Sequence, residues 1–316
     1  MKENLTTTTS ITSTYAGEFA GKYIQAALLA GTTLGKGTIT IKPNIKYKEV
    51  VKKLATSATI LADMTCDFSP TATVTLTEKI LTPKEIQVNL QLCKKDFHSD
   101  WEAVLMGYSA FDVLPKNFTD FLIGNLSQSV GAALETSIWA GVGGSGSFTG
   151  FTELFKADAG VLDVSGTTIT AANVQAELAK VVARIAATNI YLAGQKPVIY
   201  AATDVIANYL ISLGGFGASG LGANGYKGEG PTGVQNAPMY FAGLQLVEAP
   251  GMPTSQMIAA QPDNLWFGTG LLNDNNKVQV LDMADLDGSD NVRFIMRFTA
   301  GIQYGVAAEI AYYWIY

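Results

Sequence analysis

The sequence predicts an α+β fold, and three observations predict it. Residues 117–141 carry apolar side chains mostly four apart, the mark of one long amphipathic helix. The runs Thr71–Thr77 and Ile86–Leu92 alternate polar and apolar residues, as half-buried strands do. From Met239 onward the chain is mainly strand-like, with short β-rich runs between turn residues.

The elements follow in order. Residues 1–14 are rich in Thr and Ser and are expected to be mobile when free. Residues 15–34 read as a short helix, with Phe19, Tyr23, Ala27 and Leu28 on one side and Gly31 near its end. From Gly35 to about Lys53 the chain turns to strand, interrupted by Pro43. The runs 71–77 and 86–92 flank the polar stretch Glu78–Glu85, so they are expected to form a long hairpin with Lys79 and Lys84 at its tip. A hairpin is marginal alone, so its apolar face requires a partner.

Residues 117–141 place Phe118, Phe121, Leu122, Leu126, Val130, Leu134 and Ile138 along one stripe of a helix about 35 Å long, with Asn117 as N-cap. Residues 170–188 form a second amphipathic helix through Val174, Leu178, Val181, Val182 and Ile185. A buried strand at 196–201 follows, and Thr203-Asp204 caps a third helix that runs to Leu213. The later strands fall at 244–247, 277–281, 292–298 and 302–314.

Composition limits what such a chain can be. Its 316 residues suffice for one large domain or two modest ones. Hydrophobic residues make up 48% and charged residues only 15%, against about 25% in an ordinary soluble domain. That surface deficit has two outlets. A membrane is one, but the longest apolar run, around residues 23–31, is far short of a spanning helix. Contact with other subunits is the other, so the chain reads as an obligate oligomer. Residues 1–60 hold eight lysines and three glutamates, a net +5; the chain total of −6 leaves −11 for the rest. A basic segment and an acidic body attract one another, within or between subunits. Cys66 and Cys93 are too few for a disulfide scaffold and are expected to be reduced and buried.

Candidate chemistry is sparse. Nine of the 21 residues in 214–234 are glycine, and Gly215–Gly220 matches G-x-G-x-x-G. A dinucleotide loop follows a strand and opens a helix. Here helical sequence precedes it, and more glycine follows. The loop instead suits a place where backbones crowd together. His98 is the only histidine, and its neighbours Ser99 and Asp100 cannot make a triad by adjacency. The acidic stretch 282–290 fails as a calcium loop: with Gly288 in sixth place, Met283 takes the first and Phe294 the twelfth. It reads as a turn between two strands, as does Asp274–Asn276. Asn117 and Asn125 match glycosylation patterns but lie on a helix. No catalytic, cofactor-binding or metal-binding residue emerges, and the chain is read as not an enzyme.

The order of parts carries a resemblance. A polar N-terminal arm, a β-hairpin arm, a long helix, an α/β unit, a glycine-rich loop and closing strands resemble the tailed-bacteriophage major capsid protein family with the Hong Kong 97-type fold. The stretches 203–210, 239–253 and 291–306 resemble that family's axial helix, return segment and closing strands. The resemblance implies an N-terminal arm at 1–36, an extended hairpin at 37–100, a peripheral domain with the spine helix at 101–165, an axial domain at 166–274, and closing strands of both at 275–316.

It also implies a function. The subunit would assemble as pentamers and hexamers into an icosahedral phage head enclosing double-stranded DNA, which it would not bind specifically. Copies of the chain would be its partners, together with a separate scaffolding protein, a portal and decoration proteins. It would assemble in the host bacterial cytoplasm and reside in the virion. Gly215, Gly217, Gly220, Gly222 and Gly225 would lie at the five- or six-fold axis, and Lys79 and Lys84 at the tip of the arm on a neighbour. An encapsulin-like compartment shell is the alternative. A nucleotide-dependent enzyme built on the glycine loop is a second.

Overall fold

The structure is a computed structural model. It describes residues 12–16, 32–45, 47–56, 61, 63–64, 66, 70–93, 116–187, 196–213, 239–270 and 277–316. Two six-stranded sheets and four helices of seven or more residues organise these residues. Among them no helix is long and apolar enough to cross a membrane.

The long helix is present as α1, Lys116–Ala140. Val130, Leu134 and Ile138 are buried along it, with Ser127, Glu135 and Trp139 beside them. Its first residue is Lys116, so Asn117 sits inside the helix and is not its cap. A short helix α2, Phe151–Ala157, returns against its end. The turn between them needs glycine for close approach. The Gly150 amide donates to the Gly141 carbonyl at 2.6 Å, and a Cβ on Gly150 would meet the Trp139 carbonyl at 2.7 Å.

The first sheet is built around a 14-residue strand. Strands β1 (Thr12–Ala16), β2 (Thr40–Lys42), β5 (Lys84–Cys93), β11 (Leu265–Thr269), β12 (Lys277–Asp282) and β13 (Asn291–Tyr304) form it, in the order β1-β12-β13-β11-β2, with β5 also on β13. Val292, Phe294, Met296 and Phe298 are buried on one face of β13; Arg293 and Arg297 are exposed on the other. The two strands expected at 292–298 and 302–314 are differently divided: β13 runs through Gly301 to Tyr304, a 3-10 turn follows, and the last strand is separate. Gly301, within β13, makes room for the turn before β5, since a Cβ on it would lie 2.9 Å from Pro83 Cα. Residues 12–16 were expected to divide between a mobile tail and a helix. They form a strand because β12 offers them an antiparallel edge, Thr12 opposite Leu281. The rest of the helix expected at 15–34 falls mostly outside the described residues, which resume with one helical turn, Thr32–Gly35.

The second sheet has the order β6-β14-β10-β7-β9-β8, from Leu162–Ser165 (β6), Val198–Ala201 (β7), Met239–Phe241 (β8), Leu244–Glu248 (β9), Met257–Ala260 (β10) and Ala311–Trp314 (β14). Helices α3 (Val174–Ala186) and α4 (Thr203–Ser212) pair with each other, and α3 packs on the sheet. Their buried residues, Val174, Leu178, Val181 and Ile185 with Val205, Ile206 and Tyr209, keep the helical spacing of the sequence. Thr203-Asp204 do not cap α4; the N-cap is Ala202, and Asp204 Oδ2 instead accepts the Ser255 amide at 2.9 Å.

One apolar core joins both sheets and α1. The Trp139 ring stands 5.5 Å from Phe151 and 5.3 Å from Tyr200, and Phe155 stands 5.1 Å from Tyr304 and 5.9 Å from Tyr312. Edge-to-face and tilted pairs of this kind add to what area burial supplies. A buried carboxylate fastens the start of the described body to α1. Glu135 accepts hydrogen bonds from the Thr33 amide (2.9 Å), the Thr33 hydroxyl and Trp139 Nε1 (3.1 Å).

Candidate functional site: an unpartnered hairpin and its root

The hairpin is not the one expected. Strand β4 (Val74–Leu81) pairs with β3 (Glu49–Thr56), and β5 leaves the Thr82-Pro83 turn to pair with β13 instead. Two strands separated by two residues thus belong to different sheets. The register Val50↔Ile80, Lys52↔Glu78, Leu54↔Leu76 and Thr56↔Val74 puts these residues on one face. On it Val50, Val74, Leu76 and Ile80 are 48%, 58%, 54% and 53% exposed. Lys52 Nζ and Glu78 bridge the two strands at 2.9 Å. Among the described residues β3 and β4 pair only with each other. Leu61 and Met64, in the connection beyond them, are almost wholly exposed.

The root of this hairpin is buried. Leu81 and Val51 join Ile45 and Trp266 in a small apolar cluster of their own. Gly268 permits it, because a Cβ there would come within 2.7 Å of both Ile45 and Leu81.

Lys79 and Lys84 lie at this root, not at a tip. Pairing β4 with β3 moves the tip to the far end, between residues 56 and 74. Lys79 Nζ bonds Asp158 Oδ2 at 2.8 Å and stands 3.4 Å from the centroid of the Tyr304 ring. The Tyr304 hydroxyl donates to the same Asp158 oxygen at 2.5 Å. The Lys79 ammonium, then the Tyr304 hydroxyl, hold the Asp158 carboxyl down at about 2. Burial, and then the bond to Asp158, push the Tyr304 phenol upward. Lys84 donates to the carbonyls of Gly144 and Ser147. Gln303 Nε2 adds a bond to the Ile80 carbonyl at 3.1 Å. The root is therefore tied to the turn after α1, to the end of α2 and to β13.

Gly215, Gly217, Gly220, Gly222 and Gly225 lie outside the described residues, as do His98 and Asp274–Asn276. Residues 282–290 do connect two antiparallel strands, β12 and β13, through one helical turn and a left-handed Gly288 (φ 70°). Cys66 is exposed and Cys93 half-buried, and neither forms a disulfide. Their expected burial fails because Cys66 lies in the connection beyond β3 and Cys93 at the end of β5. Sequence reasoning missed Asp158, Tyr304 and Glu135. A mid-helix glutamate and an aspartate before a turn carry no sign of burial, and Thr33, Lys79 and Tyr304, which bond them, are 79 to 146 residues away.

No protein family matches the sequence, and no curated protein does. The fold does match. A chain of the satellite phage P4 procapsid structure is 11% identical, with a TM-score of 0.56 over 92% of this chain and 97% of that one. The capsid of the native GTA particle is 14% identical, TM-score 0.55, over 92% and 90%. A virus-like particle from Pyrococcus furiosus is 9% identical, TM-score 0.54, over 94% and 99%. The chain has the α+β fold of tailed-phage major capsid proteins, the Hong Kong 97-type fold.

Proposed function

We propose that the chain is a shell subunit, the major capsid protein of a tailed-phage head. Copies assemble as pentamers and hexamers into an icosahedral shell around double-stranded DNA. The observation that carries this is the hairpin with a buried root and an apolar outer face that nothing in the described chain covers. Covering four side chains that are each about half exposed contributes about 4 kcal/mol per subunit. A neighbouring copy supplies that cover, and the fold shared with capsid proteins supports the same reading.

In this reading Gly215, Gly217, Gly220, Gly222 and Gly225 line the axis of each ring, and Lys79 and Lys84 fix the angle at which the hairpin leaves the body. The domain limits are those given above, with residues 311–314 adding a strand to the axial sheet. A separate scaffolding protein, a portal and decoration proteins complete the particle, which is built in the bacterial cytoplasm.

The test is sedimentation with negative-stain microscopy of the expressed protein, alone and with its neighbouring genes. Shells, tubes or five- and six-fold rings are expected; a well-behaved monomer under both conditions refutes the reading. An encapsulin-like shell is the second reading, favoured by the likeness to the Pyrococcus furiosus virus-like particle. A cargo enzyme encoded beside this gene, in place of a portal, distinguishes it.

A further inference from the structure

The open edges of the two sheets are unequal. In the second sheet the edge strands are β6 and β8, of four and three residues. In the first, β1 and β2 are edges of five and three residues. β5 is the long one. All ten of its residues pair with β13 without a bulge, from Lys84 opposite Ala300 to Cys93 opposite Asn291. β12 takes the other edge of β13 over residues 292–297, so β5 has an outer edge that no described strand pairs with. Edges of that length are ordinarily blunted by proline, a bulge or charge. β5 has no proline, and its charges, Lys84 and Glu85, sit together at one end. Lys84 is turned back onto the carbonyls of Gly144 and Ser147. Strands β3 and β4, by contrast, carry lysine and glutamate along their length.

Both faces of β5 are unfinished. Toward the core its row is apolar, and Ile86 and Val88 pack against the core from the margin. Leu90, in the same row, is still 39% exposed, and Leu92 is half-buried. Away from the core the row is Gln87, Asn89 and Gln91, three exposed amides in succession. Gln91 Oε1 accepts a hydrogen bond from Arg293 Nε at 3.0 Å, and its amide nitrogen remains a donor.

We infer that β5 is a contact between subunits, pairing antiparallel with β5 of a second copy about a two-fold axis through Asn89. Directly opposed residues share a face, so the axis must pass through a residue. Asn89 is the choice that engages the whole stretch from Glu85 to Cys93, about 30 Å at strand rise. In this register Ile86 faces Leu92 of the second copy, Val88 faces Leu90, Gln87 faces Gln91, and Asn89 faces its own counterpart. Apolar meets apolar and amide meets amide, and Glu85 falls opposite Cys93, so no like charges are opposed. Arg297 adjoins Gln87 and Arg293 adjoins Gln91. Arginines of the two copies therefore stand three strand spacings apart, about 14 Å, beyond a Debye length of about 8–10 Å. Such a contact is isologous, whereas the contacts that close a ring are heterologous. It goes beyond the shell reading, and within a shell it joins one ring to the next.

The test uses the full chain carrying L76S and I80S, which weaken the hairpin contact, and C66S and C93S, which remove the native thiols. Its readout is dimerisation. Sedimentation equilibrium is expected to show monomer and dimer in exchange. Asn89→Lys sets like charges against each other at the axis; it is expected to keep the circular dichroism unchanged and to raise the dissociation constant at least about fivefold. Cross-linking with copper phenanthroline reads the register. N89C is expected to give a dimer on a non-reducing gel, because the two copies of that position lie within disulfide reach. Q87C alone is not, since its counterpart lies four residues along the strand, about 14 Å away. Q87C mixed with Q91C is expected to cross-link. A monomer at every concentration overturns the contact, as does a dimer that Asn89→Lys leaves unchanged. So does an N89C that fails to cross-link, or a Q87C that cross-links as readily as N89C. None of these readouts requires shells, so the shell reading stands or falls separately, on the wild type.

Discussion

Replacing Asp158 by Asn removes the charge that holds the hairpin root. Two donors converge on one Asp158 oxygen, the Lys79 ammonium at 2.8 Å and the Tyr304 hydroxyl at 2.5 Å. Hydrogen bonds to a charged group contribute about 1.5–3 kcal/mol each when protected from water. The Lys79 and Asp158 side chains are 25% and 32% exposed, so solvent screening brings the expected loss to about 1–2 kcal/mol. The pH dependence has a definite sign. The carboxyl is held at about 2, below its ordinary value of 3.8, so it contributes stability above about pH 4 that is lost as pH falls toward 2.

The assay is denaturant unfolding of the wild type, Asp158→Asn, Lys79→Met and the double variant, from pH 7 down to pH 3. A coupling energy of about 1 kcal/mol is expected at pH 7, shrinking below pH 4. A coupling under about 0.3 kcal/mol, or one unchanged at pH 3, refutes the view that this ion pair anchors the root.

Other outcomes follow from the same geometry. Tyr304→Phe keeps the ring under Lys79 but loses the hydroxyl, and is expected to cost about 1 kcal/mol and to raise the Asp158 titration midpoint, measurable by carboxyl NMR. Leu76→Ser and Ile80→Ser change exposed positions, so unfolding midpoints shift by less than about 0.5 kcal/mol while the yield of shells falls sharply in sedimentation. Gly251→Ala sets a Cβ 2.1 Å from the Glu135 carbonyl oxygen, a backbone clash expected to cost about 1–3 kcal/mol or more in thermal unfolding. Glu135→Gln leaves a buried site of three donors with one acceptor oxygen, and a loss of about 1–3 kcal/mol is expected in the same assay.

What the sequence made legible were the elements whose signals are local. The stripe from Leu126 to Ile138 predicts α1 because burial there repeats every turn. Helices α3 and α4 are legible for the same reason. Strand pairing was not, because it depends on distant partners. β5 meets β13 some two hundred residues away, Cys93 opposite Asn291, while β4 turns back to β3, whose sequence Glu49–Thr56 does not alternate. The two-residue Thr82-Pro83 link resembles a hairpin turn, yet the strands it joins diverge. Polar anchors were hidden for a related reason: Asp158 and Glu135 are defined by the donors that reach them and not by their neighbours in sequence.

The position of the last strands has a consequence for timing. β13 lies inside the first sheet, between β12 and β11, and β14 lies inside the second, between β6 and β10. A chain emerging from the ribosome therefore lacks an interior strand of the first sheet until residue 304 has been made, and of the second until residue 314. Strand edges that β13 and β14 will later occupy stay open until those strands have been made, and non-local sheets of this kind form slowly. The first sheet can therefore be completed before the second, because its last interior strand is made earlier.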